Sequence, residues 1–314
     1  MYRGINLIPA DTRIPFIAWR RVFFLFSLTL VLGSAVLFAV RGLNYGVDFV
    51  GGILIEIRTE GPPDIAEMRQ RLGGLGLGEV TLQEFGEAND VLIRFPIQEG
   101  AEEAQQQAID AARAALGENV DYRRIELVGP AVSRELFRDG IYAIAAALFA
   151  MLVYIWFRFE WQFGLAAVVA LFHDIISTIG LFALLRMEFN LATVAAILTI
   201  AGYSINDSVV VFDRVRENLR KYKTMPLPKL FDLSINETLA RTTITGLSTL
   251  LAVLALYVLG GDVIRGFSLA MLWGIVIGTY SSICLAVPLM LYMYVRPAPV
   301  AGETASKTST GKAS

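Results

Sequence analysis

Six stretches of this chain are long and apolar enough to cross a bilayer as helices, and that constrains its fold before any motif is considered. Residues 22–40, 141–157, 242–261 and 266–295 contain no charged side chain and no histidine. Residues 161–185 are interrupted only by His173 with Asp174, and residues 189–212 only by Asp207. A helix rises 1.5 Å per residue, so ~20 apolar residues cross a hydrocarbon core of ~30 Å. Lipid offers the backbone no hydrogen-bond partner, so such runs must be helical. The composition agrees: 55% of residues are hydrophobic and 18% charged, against ~45–50% and ~25% in soluble domains. The first run exceeds the ~7–15 apolar residues of a secretory leader and has no small-residue cleavage site before Arg41, so it is expected to stay as a span.

Lysine and arginine in the short loops give the orientation. Fifteen fall on one side, seven of them from Arg214 through Arg241, while the short loops of the other side hold only Arg186 and Arg265. Both termini and the connection 213–241 are therefore expected in the cytoplasm. The chain then divides into an N-terminal arm (1–21), a first span (22–41), an extracytoplasmic segment (42–135), five further spans (136–295) joined partly by a cytoplasmic loop (213–241), and a disordered polar tail (296–314).

Segment 42–135 carries 17 acids, 8 arginines and no lysine. Its periodicity predicts strand 52–58, helix 64–72, strand 80–85, strand 91–95, helix 102–116 and strand 121–128. That βαββαβ order predicts a ferredoxin-like α+β domain between the first and second spans. Its acidity would repel phosphates, so nucleic acid is not an expected partner. Gly73, Gly74, Gly76 and Gly78 follow a helix and precede a strand, the reverse of a nucleotide loop, and read as a helix stop. There is no nucleophile elbow and no pair of histidines at metal-binding spacing. The single cysteine, Cys284, excludes an internal disulfide. No enzyme activity, metal or cofactor is expected, and an ion gradient becomes the natural energy source.

The intramembrane ionisable residues are the candidate site. A carboxylate at the bilayer centre costs ~2.5–3.5 kcal/mol on insertion scales, and such groups usually face a bundle interior and serve proton or ion traffic. Tyr203 and Ser204, four and three residues before Asp207, place hydroxyls on its helix face. Alternatively, Gly202, Ser204 and Ser208 simply permit close packing, with Asp207 bonded to a neighbouring backbone. His173 and Asp174 either relay protons or fix the bundle by hydrogen bonds. Asp213 reads as a solvated or arginine-paired helix end. Arg241 either snorkels to the cytoplasmic headgroups or pairs with Asp207, which lies ~9 Å from the cytoplasmic end of its run. Thr245 is one turn beyond Arg241 on the same face.

Several separated motifs carry a resemblance: LNYGVDFVGG at 43–52, ELVGP at 126–130, FEWQFG at 159–164, HD at 173–174, GYSINDSVVVFDRVREN at 202–218, RTTITGLSTLL at 241–251 and GTYSSI at 278–283. Together they resemble the SecF members of the SecD/SecF family, within the resistance-nodulation-division superfamily. The resemblance implies a multi-pass protein of the bacterial inner membrane, forming half of a twelve-helix pseudo-symmetric unit whose other half is SecD. It also implies that the complex assists the Sec translocon channel, acts on unfolded precursor protein and draws on the proton-motive force late in translocation. The proton-coupling roles of that family fall on Asp207 and Arg241, with Thr245 beside them. A proton-driven efflux or lipid transporter half would use the same buried acid and stays open as the alternative.

Overall fold

The computed structural model describes residues 9, 12–84, 89–98, 100, 102–117 and 120–293. The tail 296–314 and most of the arm before Thr12 lie outside the described residues. After a 3-10 turn, Phe16–Trp19, the chain forms α1 (Arg20–Arg41), β1 (Asn44–Tyr45), the single-turn α2 (Val47–Val50), β2 (Gly52–Thr59) and α3 (Ile65–Gly73). Then come β3 (Thr81–Glu84), β4 (Asp90–Phe95), α4 (Glu102–Leu116), β5 (Val120–Val128) and α5 (Pro130–Arg158). The remainder is α6 (Trp161–Leu185), β6 (Glu188–Phe189), α7 (Leu191–Lys221), α8 (Leu227–Leu259), α9 (Asp262–Ser281), a π-helical turn (Ser282–Ala286) and α10 (Val287–Met293).

Six helices among the described residues are long and apolar enough to cross a membrane: Phe16–Arg41, Pro130–Arg158, Trp161–Leu185, Leu191–Lys221, Leu227–Leu259 and Ile264–Met293. The third, fourth and sixth form the centre of the bundle, and the other three present long apolar faces outward. Without a hydrophobic drive between helices in lipid, small residues let backbones approach. A Cβ on Gly180 of α6 would lie 2.8 Å from the Ser34 Cα of α1, and one on Gly274 of α9 would lie 2.7 Å from Ile200 Cγ2 of α7. Both crossings therefore have room for hydrogen only.

Two of the spans outrun the sequence expectation. The connection 213–241, expected as a loop, is largely helical: α7 continues to Lys221, α8 begins at Leu227, and only residues 222–226 leave the helices. A helix need not stop where lipid stops if polar groups hold its exposed turns. Here Asn218 Nδ2 donates to Ser234 Oγ (3.0 Å) and Glu237 Oε2 (2.7 Å), and Arg214 Nε donates to the same Glu237 oxygen (2.7 Å). The π-turn has a covalent cause. Pro288 has no N–H for the carbonyl four residues earlier and its ring crowds that carbonyl, so the ladder slips just before it.

Residues 52–128 form a four-stranded antiparallel sheet in the order β3-β4-β2-β5. On β2, Ile53, Ile55 and Ile57 alternate onto one face and pack with Leu72 of α3 and with Ile109 and Ala112 of α4. The opposite face turns Leu54 onto Val47 of α2 and Leu92 of β4. Asp64 caps α3 by accepting from the Glu67 N–H at 2.9 Å.

A feature with no counterpart in the sequence reading joins this unit to the bundle. β1 and β6 pair in parallel, Asn44 with Glu188 and Tyr45 with Phe189, linking the exit of the first span to the α6–α7 connection. Gly46 N–H donates to Phe189 O (2.9 Å), and Leu191 N–H at the start of α7 donates to Asp48 Oδ2 (2.9 Å). Tyr45, Phe49, Phe137 and Phe189 pack their rings around the joint at 5.7–6.4 Å.

Candidate functional site: buried acids in the bundle

Asp174 is fully buried in α6, and its carboxylate is held from three sides. His173 Nδ1 lies 2.9 Å from Oδ1, while Ser204 Oγ of α7 (2.6 Å) and Ser281 Oγ of α9 (2.8 Å) both donate to Oδ2. Its backbone carbonyl accepts from Ser177 Oγ (2.9 Å) and Thr178 Oγ1 (2.8 Å). Gly278 admits this cluster, since a Cβ there would press on Ser204 Cβ at 3.2 Å. The sequence order His-Asp thus yields a mutually bonded pair, and Ser204 serves Asp174 rather than Asp207.

Asp207, one turn further along α7, is 2% exposed. Its carboxylate accepts one long hydrogen bond, 3.4 Å from Thr279 Oγ1 of α9. Tyr203 packs against α8 at Gly246, where a Cβ would come within 3.6 Å of both the Tyr203 hydroxyl and Thr279 Oγ1. With Tyr203 beside Gly246 and Asn218 bonded to Ser234, the antiparallel register puts Thr242 level with Asp207. Thr242 is buried and its hydroxyl has no hydrogen-bond partner among the described residues.

Arg241 does not reach Asp207. It is exposed and lines an open cleft with Asp213, Glu217 and Glu237, a turn or more nearer the end of α7. The physical reason is helical phase: Thr242, one residue on, occupies the inward position, so Arg241 points about 100° away. Thr245 turns its hydroxyl onto its own helix, donating to the carbonyls of Arg241 and Thr242 at 3.0 Å each. Asp213 is paired with Arg158 Nη2 (2.8 Å) at the helix end. Sequence reasoning missed Thr242, Thr279 and Ser281. The last two lie in GTYSSI, whose four consecutive hydroxyl residues, 279–282, within an apolar span offered the only signal.

A second ionic cluster sits at the β1–β6 joint. Arg94 Nη1 of β4 donates to Asn44 Oδ1 (2.8 Å) and Tyr45 O (3.1 Å), and its Nη2 stands 3.6 Å from Glu188 Oε1, too far for a hydrogen bond. Burial pushes the Glu188 carboxyl above its ordinary range, which Arg94 and Arg124 only partly offset. Burial likewise lowers the Arg94 guanidinium, with Glu188 opposing.

The fold and this site define a polytopic helical membrane protein that keeps two carboxylates inside its spans and carries a small α+β unit beyond them. The chain belongs to the SecD/SecF family of protein export membrane proteins. The model of its C-terminal region, "Protein export membrane protein SecD/SecF, C-terminal", matches residues 108–296, and that of the SecD/SecF GG motif matches residues 36–63. Protein translocase subunit SecF of Rickettsia akari (strain Hartford) is 45% identical over 290 residues, covering 91% of this chain and 94% of its own length. The subunit of the same name from Rickettsia bellii (strain OSU 85-389) is 44% identical over 91% of this chain and 95% of its own. The crystal structure of SecDF, a translocon-associated membrane protein from Thermus thermophilus, matches with a TM-score of 0.83 at 36% identity, covering 93% of this chain and 39% of that one. SecDF in its super-membrane-facing form matches with a TM-score of 0.67 and 36% identity over 95% of this chain and 40% of that one. This chain therefore spans about two fifths of those SecDF chains.

Proposed function

We propose that this chain is the SecF-like subunit of an export complex of the bacterial inner membrane, and that Asp207 carries the proton that drives it. The observation that bears most weight is the state of Asp207: 2% exposed, within a span, with one hydrogen bond of 3.4 Å from its own chain. A buried charge so sparsely compensated requires a partner or a proton. Family membership supports the rest of the reading. The missing half of the twelve-helix unit is a SecD-like protein, seated against apolar faces that α5 and α8 leave open. The clients are the Sec channel and an unfolded precursor, and the surrounding solvent is the lipid bilayer. No cofactor enters the scheme, and the proton gradient supplies the work.

In this reading both termini are cytoplasmic, as the lysine and arginine distribution favours. Residues 42–135 then form an extracytoplasmic ferredoxin-like domain, a reading supported by the β3-β4-β2-β5 order and two intervening helices. Protonation of Asp207 removes its charge and biases the packing of α7 against α8 and α9. Arg241 enters when α8 turns or when the partner half supplies the counter-charge. One charge crossing 100 mV yields ~2.3 kcal/mol, whereas a swing from 1:99 to 99:1 needs ~5.5 kcal/mol. A single proton therefore shifts a population, and a complete stroke takes more than one.

The test is Asp207→Asn in vesicles preloaded with a stalled precursor. The expected result is a folded, partner-bound protein whose ionophore-sensitive export is lost. Proton-dependent export at the wild-type rate would exclude Asp207 as the coupling group.

A further inference from the structure

We propose that His173 and Asp174 form a second proton-binding site, in which His173 Nε2 takes up the proton and Asp174 is its fixed counter-charge. The inference deepens the proton-driven reading above but rests on different residues. An ionised carboxylate can only accept; serine hydroxyls donate to this one from α7 and α9, and His173 Nδ1 of α6 lies 2.9 Å from its other oxygen. With Asp174 ionised, His173 Nδ1 carries the imidazole hydrogen, and Nε2 is left with its lone pair. That nitrogen is buried, in a side chain 3% exposed, and has no hydrogen-bond partner among the described residues. Buried polar atoms in folded proteins are nearly always partnered, and a proton arriving here has no existing hydrogen bond to break. A proton on Nε2 converts a pair of net charge −1 into a neutral imidazolium–carboxylate pair, which low-dielectric surroundings favour.

The neighbours leave this assignment unopposed. From α9 and the π-turn the facing ionisable groups are Tyr280, whose ring lies 6.0 Å from the imidazole, and Cys284. From α7 there is Asp207, whose negative charge also favours protonation nearby. From α1 comes Ser27, bonded to the Tyr280 hydroxyl at 3.0 Å, and α1 has no ionisable side chain between Arg21 and Arg41. α10 adds only Tyr292, and between Asp139 and Arg158 α5 adds only Tyr142 and Tyr154. Residues 161–185, 191–212 and 266–293 contain no lysine, arginine or glutamate, so no fixed cation competes with the proton. The two acids share one strip of α9: Thr279 serves Asp207, Ser281 serves Asp174, and Ser282 opens the π-turn. Proton uptake at Asp207 or at the His173–Asp174 pair is thereby felt at a helical irregularity of the kind often found at functional sites.

His173 is the only histidine of the chain, so isotope-labelled histidine reports on it alone by solid-state NMR of the full chain in lipid bilayers. The expected spectra, recorded from about pH 9 down to about pH 5, show Nδ1 protonated and Nε2 bare at the high end, with Nε2 gaining its hydrogen as the pH is lowered. Removing a donor that stabilises the ionised carboxylate, by Ser281→Ala, should raise the midpoint of that uptake by about 0.5–1 unit; Asp174→Asn, which removes the counter-charge, should lower it by about a unit or more. Should Asp174→Asn fail to fold, Ser281→Ala decides. A nitrogen that never protonates across this range, or a midpoint that Ser281→Ala leaves in place, overturns the proposal. Neither outcome bears on the Asp207 experiment.

Discussion

Alanine at Gly52 should loosen the α+β unit more than alanine at its neighbour Gly51. Gly52 opens β2 with φ +121°, paired to Val128 of β5, and a Cβ there would lie 2.9 Å from the Phe95 carbonyl oxygen of β4. Two costs add. Holding a non-glycine residue at such a φ takes ~1–3 kcal/mol. Ordinary contact begins near 3.4 Å, so β4 must yield by about 0.5 Å against its own hydrogen bonds, an overpacking worth another ~1–3 kcal/mol. Residues 52–128, at ~0.05–0.15 kcal/mol per residue, have about 4–12 kcal/mol in total. The expected loss of ~2–6 kcal/mol is thus a large share of that stability. Gly51, at φ 77° and ψ 170°, carries the same backbone cost of ~1–3 kcal/mol, but its Cβ would meet Ser133 Oγ at 3.2 Å and the Val128 carbonyl oxygen at 3.3 Å, looser contacts than the 2.9 Å at Gly52. Amide hydrogen exchange of β2 and β4, measured on the full chain in bilayers, gives the local opening free energy. Protection of Gly52→Ala within ~0.5 kcal/mol of the parent, or a larger loss in Gly51→Ala, would refute the reasoning.

Two further outcomes follow from the same geometry. Because burial raises the Glu188 carboxyl above its ordinary range, the docked joint prefers the protonated form: its stability is full below the undocked pKa and falls as pH rises through the docked one. Glu188→Gln should remove that pH dependence, so the protection of β1 and β6, corrected for the base-catalysed rise of intrinsic exchange, should fall with pH in the parent and stay flat in the variant; a dependence that persists would assign it to another group. Gly274→Val puts methyl groups into Ile200 and should separate α9 from α7, costing ~1–3 kcal/mol and weakening the Thr279–Asp207 contact. Cross-linking between cysteines placed on the two helices would measure that, and an unchanged yield would count against the close crossing.

How much of this was legible in the sequence depended on the range of the interaction. The spans and the six elements between Gly52 and Val128 were readable because hydrophobic period is a local property that burial enforces. Asp207 and the His173–Asp174 pair stood out because charge within an apolar run has few explanations. Their partners did not. Whether Ser204 serves Asp207 or Asp174 is decided by the neighbouring α6, and Thr242 displaces Arg241 from the inward position by a single residue of helical phase. The β1–β6 pair is too short, at two residues per strand, to carry any periodic signal. The length of α7 and α8 beyond the hydrocarbon was hidden because charged residues continue a helix as readily as they begin a loop.

That small parallel pair has a mechanical consequence. The α+β unit is fastened to the bundle at three places: the exit of α1, the start of α5 and, through Asn44–Glu188 and Tyr45–Phe189, the turn between α6 and α7. A body held at three points cannot swivel freely on its stalks. If α6 and α7, which carry both buried acids, tilt, the sheet is levered with them and the tilt is magnified at its far edge.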